Sequence, residues 1–567
     1  MAGLELRGLS LPRLFAARGR SNDALAATPL FSSLSRVLAA DLRELDARPT
    51  IGDDPAPNRP FRLRWLADPH ARFELIGAVN RSDRGFVEGP RSRTACGEAR
   101  LVYRLVLGPE NRPRTALPMT LSIVFPQPGD ALASPGAECV AIMRRWRALP
   151  ARGAERLDAI AELYRSLPPF IKVETNLQNL HGPALRADED DHAEYLLHTF
   201  ARQGEVLAPE PLLDTPRDDL DPKERAALAT WIREHVDEID RGTHVIPARF
   251  LATRAVSVAP RGLGRRHNRI FARMFGDGAD AFGGLAYGTR KMVKSPRGLV
   301  RRLDQGTCSG CHESRAIAGF HLLGEDRDPE ARFNALAVGR SAHLEAELTW
   351  RDAMLAAFAE GKAFEIPRPF ADRGASGGYG AHCAKDLDAT FESWRCDEGL
   401  RCRDLYGDEV GLCVPSDANH EGDPCEDARA EPAEGPDGDR IIGSGKESCL
   451  FGGRASSPDA CSPNHYGFPG GLCSDDCTTL GRAQGGLVCA DLPASGYETD
   501  CFPIAVPIEQ CLVTHVARRR VRGCDSSHPC RDDYACARVP GLGPDEGACV
   551  PPYFVFQARV DGPILDR

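Results

Sequence analysis

Met119-Thr-Leu-Ser-Ile-Val-Phe125 alternates apolar and polar side chains over its first five residues. A β-strand turns successive side chains to opposite faces, so the stretch predicts a strand buried on one side. Phe73–Val79 and Leu101–Leu107, rich in branched and aromatic residues, predict two more strands upstream. Helical spacing takes over downstream. Val140, Met143, Trp146 and Leu149 recur at three, and Leu157, Ile160, Tyr164 and Leu167 at three or four, until Pro168-Pro169 ends the run. Asp221, Pro222 and Glu224 carry the signature of a capped helix start, ahead of an apolar face of Leu228, Trp231, Ile232, Val236 and Ile239. His192 and His198 are assigned to a short helix behind the acidic run Asp188–Asp191. The regular strand–helix alternation of a doubly wound sheet is missing. The fold class is therefore α+β, a mixed body of antiparallel sheet elements and helices.

The ends of the chain differ from this body. Residues 1–60 read as a leader and linker with one helical piece, Phe31–Leu45, and a Pro/Asp-rich loop. Residues 61–290 form the α+β domain. Gly276–Gly288 lacks the lysine and context of a phosphate loop and reads as a flexible approach to the next segment. Residues 291–370 make that segment, mostly helix and loop, with a helix over Leu344–Phe364. Residues 371–567 come after a glycine-rich linker and hold sixteen of the 20 cysteines. That density marks a disulfide scaffold with little regular structure. It repeats internally: Cys396-x5-Cys402-x10-Cys413-Val-Pro matches Cys530-x5-Cys536-x12-Cys549-Val-Pro, each preceded by a further cysteine, Cys383 or Cys524. The acidic insert Asp423–Asp439 fits no EF-hand spacing.

Composition excludes some functions. The net charge of −10 gives no basic face for nucleic acid, and Arg518–Arg520 is the main basic cluster. No run approaches a membrane-spanning length. The first twenty residues are interrupted by arginines and show no signal-peptide core. The cysteines nevertheless point to an oxidising compartment, periplasmic or extracellular.

Cys308-Ser-Gly-Cys311-His312 carries the chemistry. C-x-x-C-H is the attachment signature of c-type haem: two thiols for thioether links and a histidine to ligate iron. The rival is structural zinc, with Cys308 and Cys311 joined by His312 or His321. The flanks supply no second cysteine pair, and the oxidised tail fits haem attachment, so one covalent haem c is the preferred cofactor. Its sixth iron site has four candidates, His321, Met292, His343 and Met354, with His321 first and Met354 a better core residue than a ligand. An open site is the other alternative. Removing the motif pair leaves Cys96 and Cys139 to bond with each other, pinning the second and third strands to the following helix. His181, His192 and His198 give no convergent metal geometry on a helix.

Gln305–Asp326, together with RFELIGAVNRSDRGF, ACGEARLVYRL and DHAEYLLHTF, resembles the haem region of large secreted cytochrome c-like proteins of myxobacteria and related bacteria. The resemblance spans roughly residues 61–345. Cysteine-rich modules ending in Cys-Val-Pro are common in secreted proteins of such organisms. The resemblance implies a periplasmic or surface-exposed haem-binding protein and names no substrate. Ordinary small class I cytochromes differ in the approach to the motif and in the distal loop, so their ligand set is not transferred. The expectation is an extracytoplasmic electron-transfer protein with a redox partner protein. A haem-dependent peroxidase or oxidase, and a surface interaction protein with a structural Cys/His metal site, are the alternatives.

Overall fold

The computed structural model describes residues 2–46, 61–86, 95–108, 115–129, 136–181, 192–259, 268–313, 342–370, 377, 382–384, 388–403 and 410–416, with short strands between residues 429 and 550. Its centre is a seven-stranded antiparallel sheet: β1 (Ala71–Arg81), β2 (Glu98–Leu107), β3 (Thr115–Pro126), β4 (Lys172–His181), β5 (His192–Gln203), β6 (Val206–Glu210) and β7 (Arg254–Ala259). β1 to β6 lie side by side in chain order, and β6 and β7 share the far edge of β5. Neighbours in sequence are neighbours in space, the usual outcome for antiparallel chains with short connections. The α+β expectation holds.

The alternation in β3 sorts the two faces. Met119, Leu121, Ile123 and Phe125 point into an apolar core, with Leu101, Tyr103 and Leu105 of β2 beside them and Val173, Leu177, Leu196 and Phe200 beyond. Leu4, Leu9, Leu11 and Phe15 close that core, as do Phe31, Leu34, Leu38, Leu42 and Leu45 of the helix Pro29–Asp46. The span expected to be a leader and linker thus supplies much of the body's core through residues 2–46. Its leucines recur at helical spacing, and each fully buried one contributes about 1.5–3 kcal/mol. The helix Ala154–Ser166 adds Ile160, Leu163 and Tyr164.

Thr120 and Ser122 of β3 point the other way, with Glu98, Arg100 and Val102 of β2 and Glu174 of β4. A helical unit faces this side. Its own core joins Leu228, Ile232, Phe250, Phe271, Phe282, Leu299 and Leu303. The helix Pro222–Glu234 opens with the expected capping box: the Asp221 carboxylate accepts from Glu224 N, and Asp221 N donates to the Glu224 carboxylate. Val236–Arg241 comes next and stops at Gly242, whose φ of 76° is left-handed. A side chain there would also meet Arg302 at 2.7 Å and Arg368 at 2.8 Å. Gly276–Gly288 is no plain flexible approach, since Ala279–Phe282 is a helix that buries Phe282.

Cys96 and Cys139 are bonded, tying the entry of β2 to the helix Ala137–Arg147 as expected. Met143, Trp350, Met354 and Phe358 pack around that disulfide. The last three ride on the helix Ala342–Ala359, shorter than the expected Leu344–Phe364 at its C-terminal end. One expectation is overturned: His192 and His198 lie on strand β5, not on a helix. This strand is buried on both faces, so Tyr195-Leu196-Leu197 shows no alternation to betray it.

The first cysteine module is a three-stranded sheet of His382–Ala384, Leu400–Arg403 and Val410–Pro415, with the last strand central. Cys383–Cys402 and Cys396–Cys413 staple it. The module docks on the body: Thr390 Oγ1 accepts from Lys294 N at 2.9 Å, and Phe391 and Trp394 pack with Phe370 and Met292. Gly523–Cys524, Ala535–Arg538 and Gly547–Val550 repeat the same order, again with the last strand central.

Candidate haem site

The C-x-x-C-H pentapeptide forms the short helix Cys308–Glu313, directly after the helix Pro296–Gly306. Thr307 makes the corner. Its hydroxyl donates to Asp304 O at 2.6 Å and accepts from Gly310 N at 2.9 Å, which caps the new helix. Only glycine fits at position 310, because a Cβ there would stand 2.1 Å from Asp304 O. Cys308 N donates to Thr215 Oγ1, and Ser257 of β7 donates to Ser309 O, so the motif is anchored on both flanks. The Asp304 carboxylate accepts from Phe271 N and Ala272 N, joining the corner to the helix Ile270–Phe275. Burial pushes its pKa up to about 7.

Cys308 and Cys311 are three apart and share one helical face. Neither is in a disulfide, whereas the other six cysteines with described side chains all are. Both line a cavity of about 380 Å³ between the sheet and the helical unit. Leu197, Leu212 and Ala255 pack around Cys308. Burial raises both thiol pKa values, Cys311 to about 12. The pocket therefore favours neutral sulfur, as in a thiol or thioether, over a thiolate nucleophile.

Charged groups line or back much of the rest of the cavity wall. Arg100 bonds Glu98 at 2.6 Å and Glu174 at 2.5 Å. Asp83 receives Arg81 at 2.8 Å and Arg368 at 2.9 Å; Glu347 receives Arg368 at 2.5 Å and Arg351 at 2.8 Å. Burial alone would raise the Asp83 pKa, but Arg81, Arg351 and Arg368 hold it well below the carboxylate range. Arg84 has no hydrogen-bond partner for its buried Nε, and burial with Arg81 and Arg100 nearby lowers its pKa. His244, on the loop after Gly242, also lines the cavity; it is 7% exposed and neither ring nitrogen has a hydrogen-bond partner. Burial lowers its pKa and favours the neutral ring. Asp214 Oδ1, likewise unpartnered, lies 3.9 Å from His244 Nε2, on a residue with φ of 59°.

The sequence candidates divide. Cys308 and Cys311 come together at the cavity. His312 is next to Cys311 on the same helix, with its side chain outside the described residues, as is that of His343. His321 lies outside them altogether. Met292 packs with Phe370, Phe391 and Trp394, and Met354 packs against the Cys96–Cys139 disulfide, so both serve cores. His198 is held by Asp41 at 2.8 Å and the Thr253 carbonyl at 3.1 Å. Sequence reasoning passed over the charged wall and His244. The wall did leave a trace: Glu98 and Arg100 stand on alternate positions of a strand whose neighbouring positions Ala99, Leu101 and Val102 are apolar.

These residues fit a haem. The macrocycle has a hydrophobic rim, which matches the apolar patch at Cys308. It also has two carboxylates, which match guanidinium groups such as Arg84. A bare metal ion fits less well. Among the described residues, the one group of three donors within 4.8 Å of one another is Cys383, Cys396 and Cys402, and all three are consumed by disulfides. Cys308 and Cys311 have no third described donor that close. No family model, curated protein or solved structure matches the chain. Among the described residues, no helix is long and apolar enough to cross a membrane.

Proposed function

We propose that this chain is an extracytoplasmic c-type cytochrome that carries one covalent haem and transfers electrons. The single observation behind the proposal is the pair Cys308 and Cys311: two cysteines outside the disulfides that hold the other described ones, both on one cavity wall and succeeded by His312. The thiols would add to the haem vinyl groups, and His312 would ligate the iron. Bound there, the group supplies a one-electron ferric/ferrous couple. The chain's own residues do the rest. Thr307 and Gly310 fix the angle of the motif helix, Leu197 and Leu212 would keep water from the thioether edge, and Arg84 would offer positive charge to the carboxylates. One electron arrives from a donor protein and leaves to an acceptor protein. The net charge of −10 favours partners with basic docking surfaces.

The test is expression in cells equipped for c-type haem maturation, then a pyridine haemochrome spectrum of the denatured protein. A covalent haem is expected in the parent chain and its loss in the Cys308→Ala/Cys311→Ala double variant. Stoichiometric zinc without haem would refute the proposal.

A further inference from the structure

Resting on the haem proposal, we infer that His244 is a second protein ligand of the iron besides His312, and that Asp214 orients it. A buried imidazole with two unpartnered nitrogens is an unfavourable arrangement unless something fills it. His244 is such a ring: it faces the cavity that holds both thiols, and neither nitrogen is bonded. His198, on the same lining, differs because Asp41 and the Thr253 carbonyl take both of its nitrogens. His235, at the end of the helix Pro222–Glu234, bonds the Trp231 carbonyl and stacks on the Trp231 ring.

Position supports the assignment. The His244 ring lies beside Gly306, two residues before Cys308; a Cβ on Gly306 would come within 3.9 Å of Cε1 and Nε2. A ring at that place borders a group tethered through Cys308 and Cys311. Asp214 supplies what a ligating histidine needs behind it. Metal-bound imidazoles generally donate their second N–H to a carboxylate or carbonyl, which fixes the ring and makes it a stronger donor. Asp214 Oδ1 is 3.9 Å from Nε2 and has no other partner, so a small turn of the ring makes that bond and frees Nδ1 for the iron. The left-handed backbone at Asp214, φ 59°, is a conformation that non-glycine residues keep where the surroundings require it.

The experiment uses the full chain loaded with haem. The parent protein is expected to show a low-spin ferric spectrum by optical absorption and EPR. His244→Ala is expected to become high-spin while keeping its pyridine haemochrome, and added imidazole is expected to restore the low-spin signal. Should the alanine variant fail to fold, His244→Met is expected to remain low-spin with a higher reduction potential. Asp214→Asn is expected to stay low-spin and to shift the potential upward, because the ligand loses its carboxylate partner. A high-spin parent, a low-spin His244→Ala protein, or conversion by His321→Ala in its place would overturn the assignment. Absence of any haemochrome in the parent would instead refute the haem proposal itself, so the two failures are distinct.

Discussion

The two faces of the central sheet are built from the same strands by opposite means. On one face, Leu101, Tyr103, Leu121, Ile123 and Phe200 meet the N-terminal helices in a continuous apolar core. On the other, Arg100 with Glu98 and Glu174, and Arg351 and Arg368 with Glu347, line a cavity. The apolar face gains stability from area removed from water and tolerates no opening. The charged face keeps an opening, because ions such as Arg100, Asp83 and Glu347 are held by hydrogen bonds to partners whose removal leaves them stranded. Cohesion and vacancy are thus divided across a single layer one strand thick.

The division can be broken from either side. Asp83→Asn should have the largest effect, a loss of about 3–5 kcal/mol in urea unfolding, since Arg81 and Arg368 would be left charged and short of a partner. It should also perturb the spectrum of the proposed haem. The same carboxylate gives the charged face its pH dependence. Its folded pKa is depressed, so its contribution is complete above the unfolded value of about 4 and fades as the pH falls toward the folded one. The stability gap between the parent and Asp83→Asn should therefore be full above about pH 4 and narrow as the pH falls below it. Leu121→Ala comes next, at about 2–5 kcal/mol, but with an unchanged haem spectrum, because the void opens on the face away from the cavity. Equal spectral damage from both variants would show that the faces are not independent. Asp221→Ala should cost about 1 kcal/mol by removing the cap of a helix in the unit that faces the charged side. Thr120→Val, one residue from Leu121 but on the cavity side, should change stability by less than about 0.5 kcal/mol.

Strand content, the Asp221 capping box and the Cys96–Cys139 bond were legible in the sequence because each rests on local spacing or on parity of cysteines. The core role of residues 2–46 was not, because isolated leucines between arginines mean little until a sheet face exists to receive them. β5 was misjudged for a related reason: burial on both faces erases the alternation that identifies strands. At the site, the C-x-x-C-H motif stood out, whereas His244 gave no signal at all; its significance is a lack of partners, which only three dimensions reveal. The cysteine repeat was visible, and the structure adds its pairing. Cys402 and Cys413 are opposed in the first module, as Cys536 and Cys549 are in the second. Since Cys383–Cys402 and Cys396–Cys413 are bonded, peptide mapping of the oxidised protein should find Cys524 joined to Cys536 and Cys530 to Cys549. Any other pairing would show that the modules share strand order without sharing a covalent framework.

The alternation of β3 carries a consequence for how this chain can change over time. Substitutions along Met119–Phe125 act on one face at a time. A one-residue insertion or deletion that slides the strand would exchange the faces wholesale, sending Met119, Leu121 and Ile123 into the cavity and Thr120 and Ser122 into the core. A two-residue change would restore the pattern. Lineages descended from this protein should therefore vary freely in composition along β3 while keeping the parity of its length.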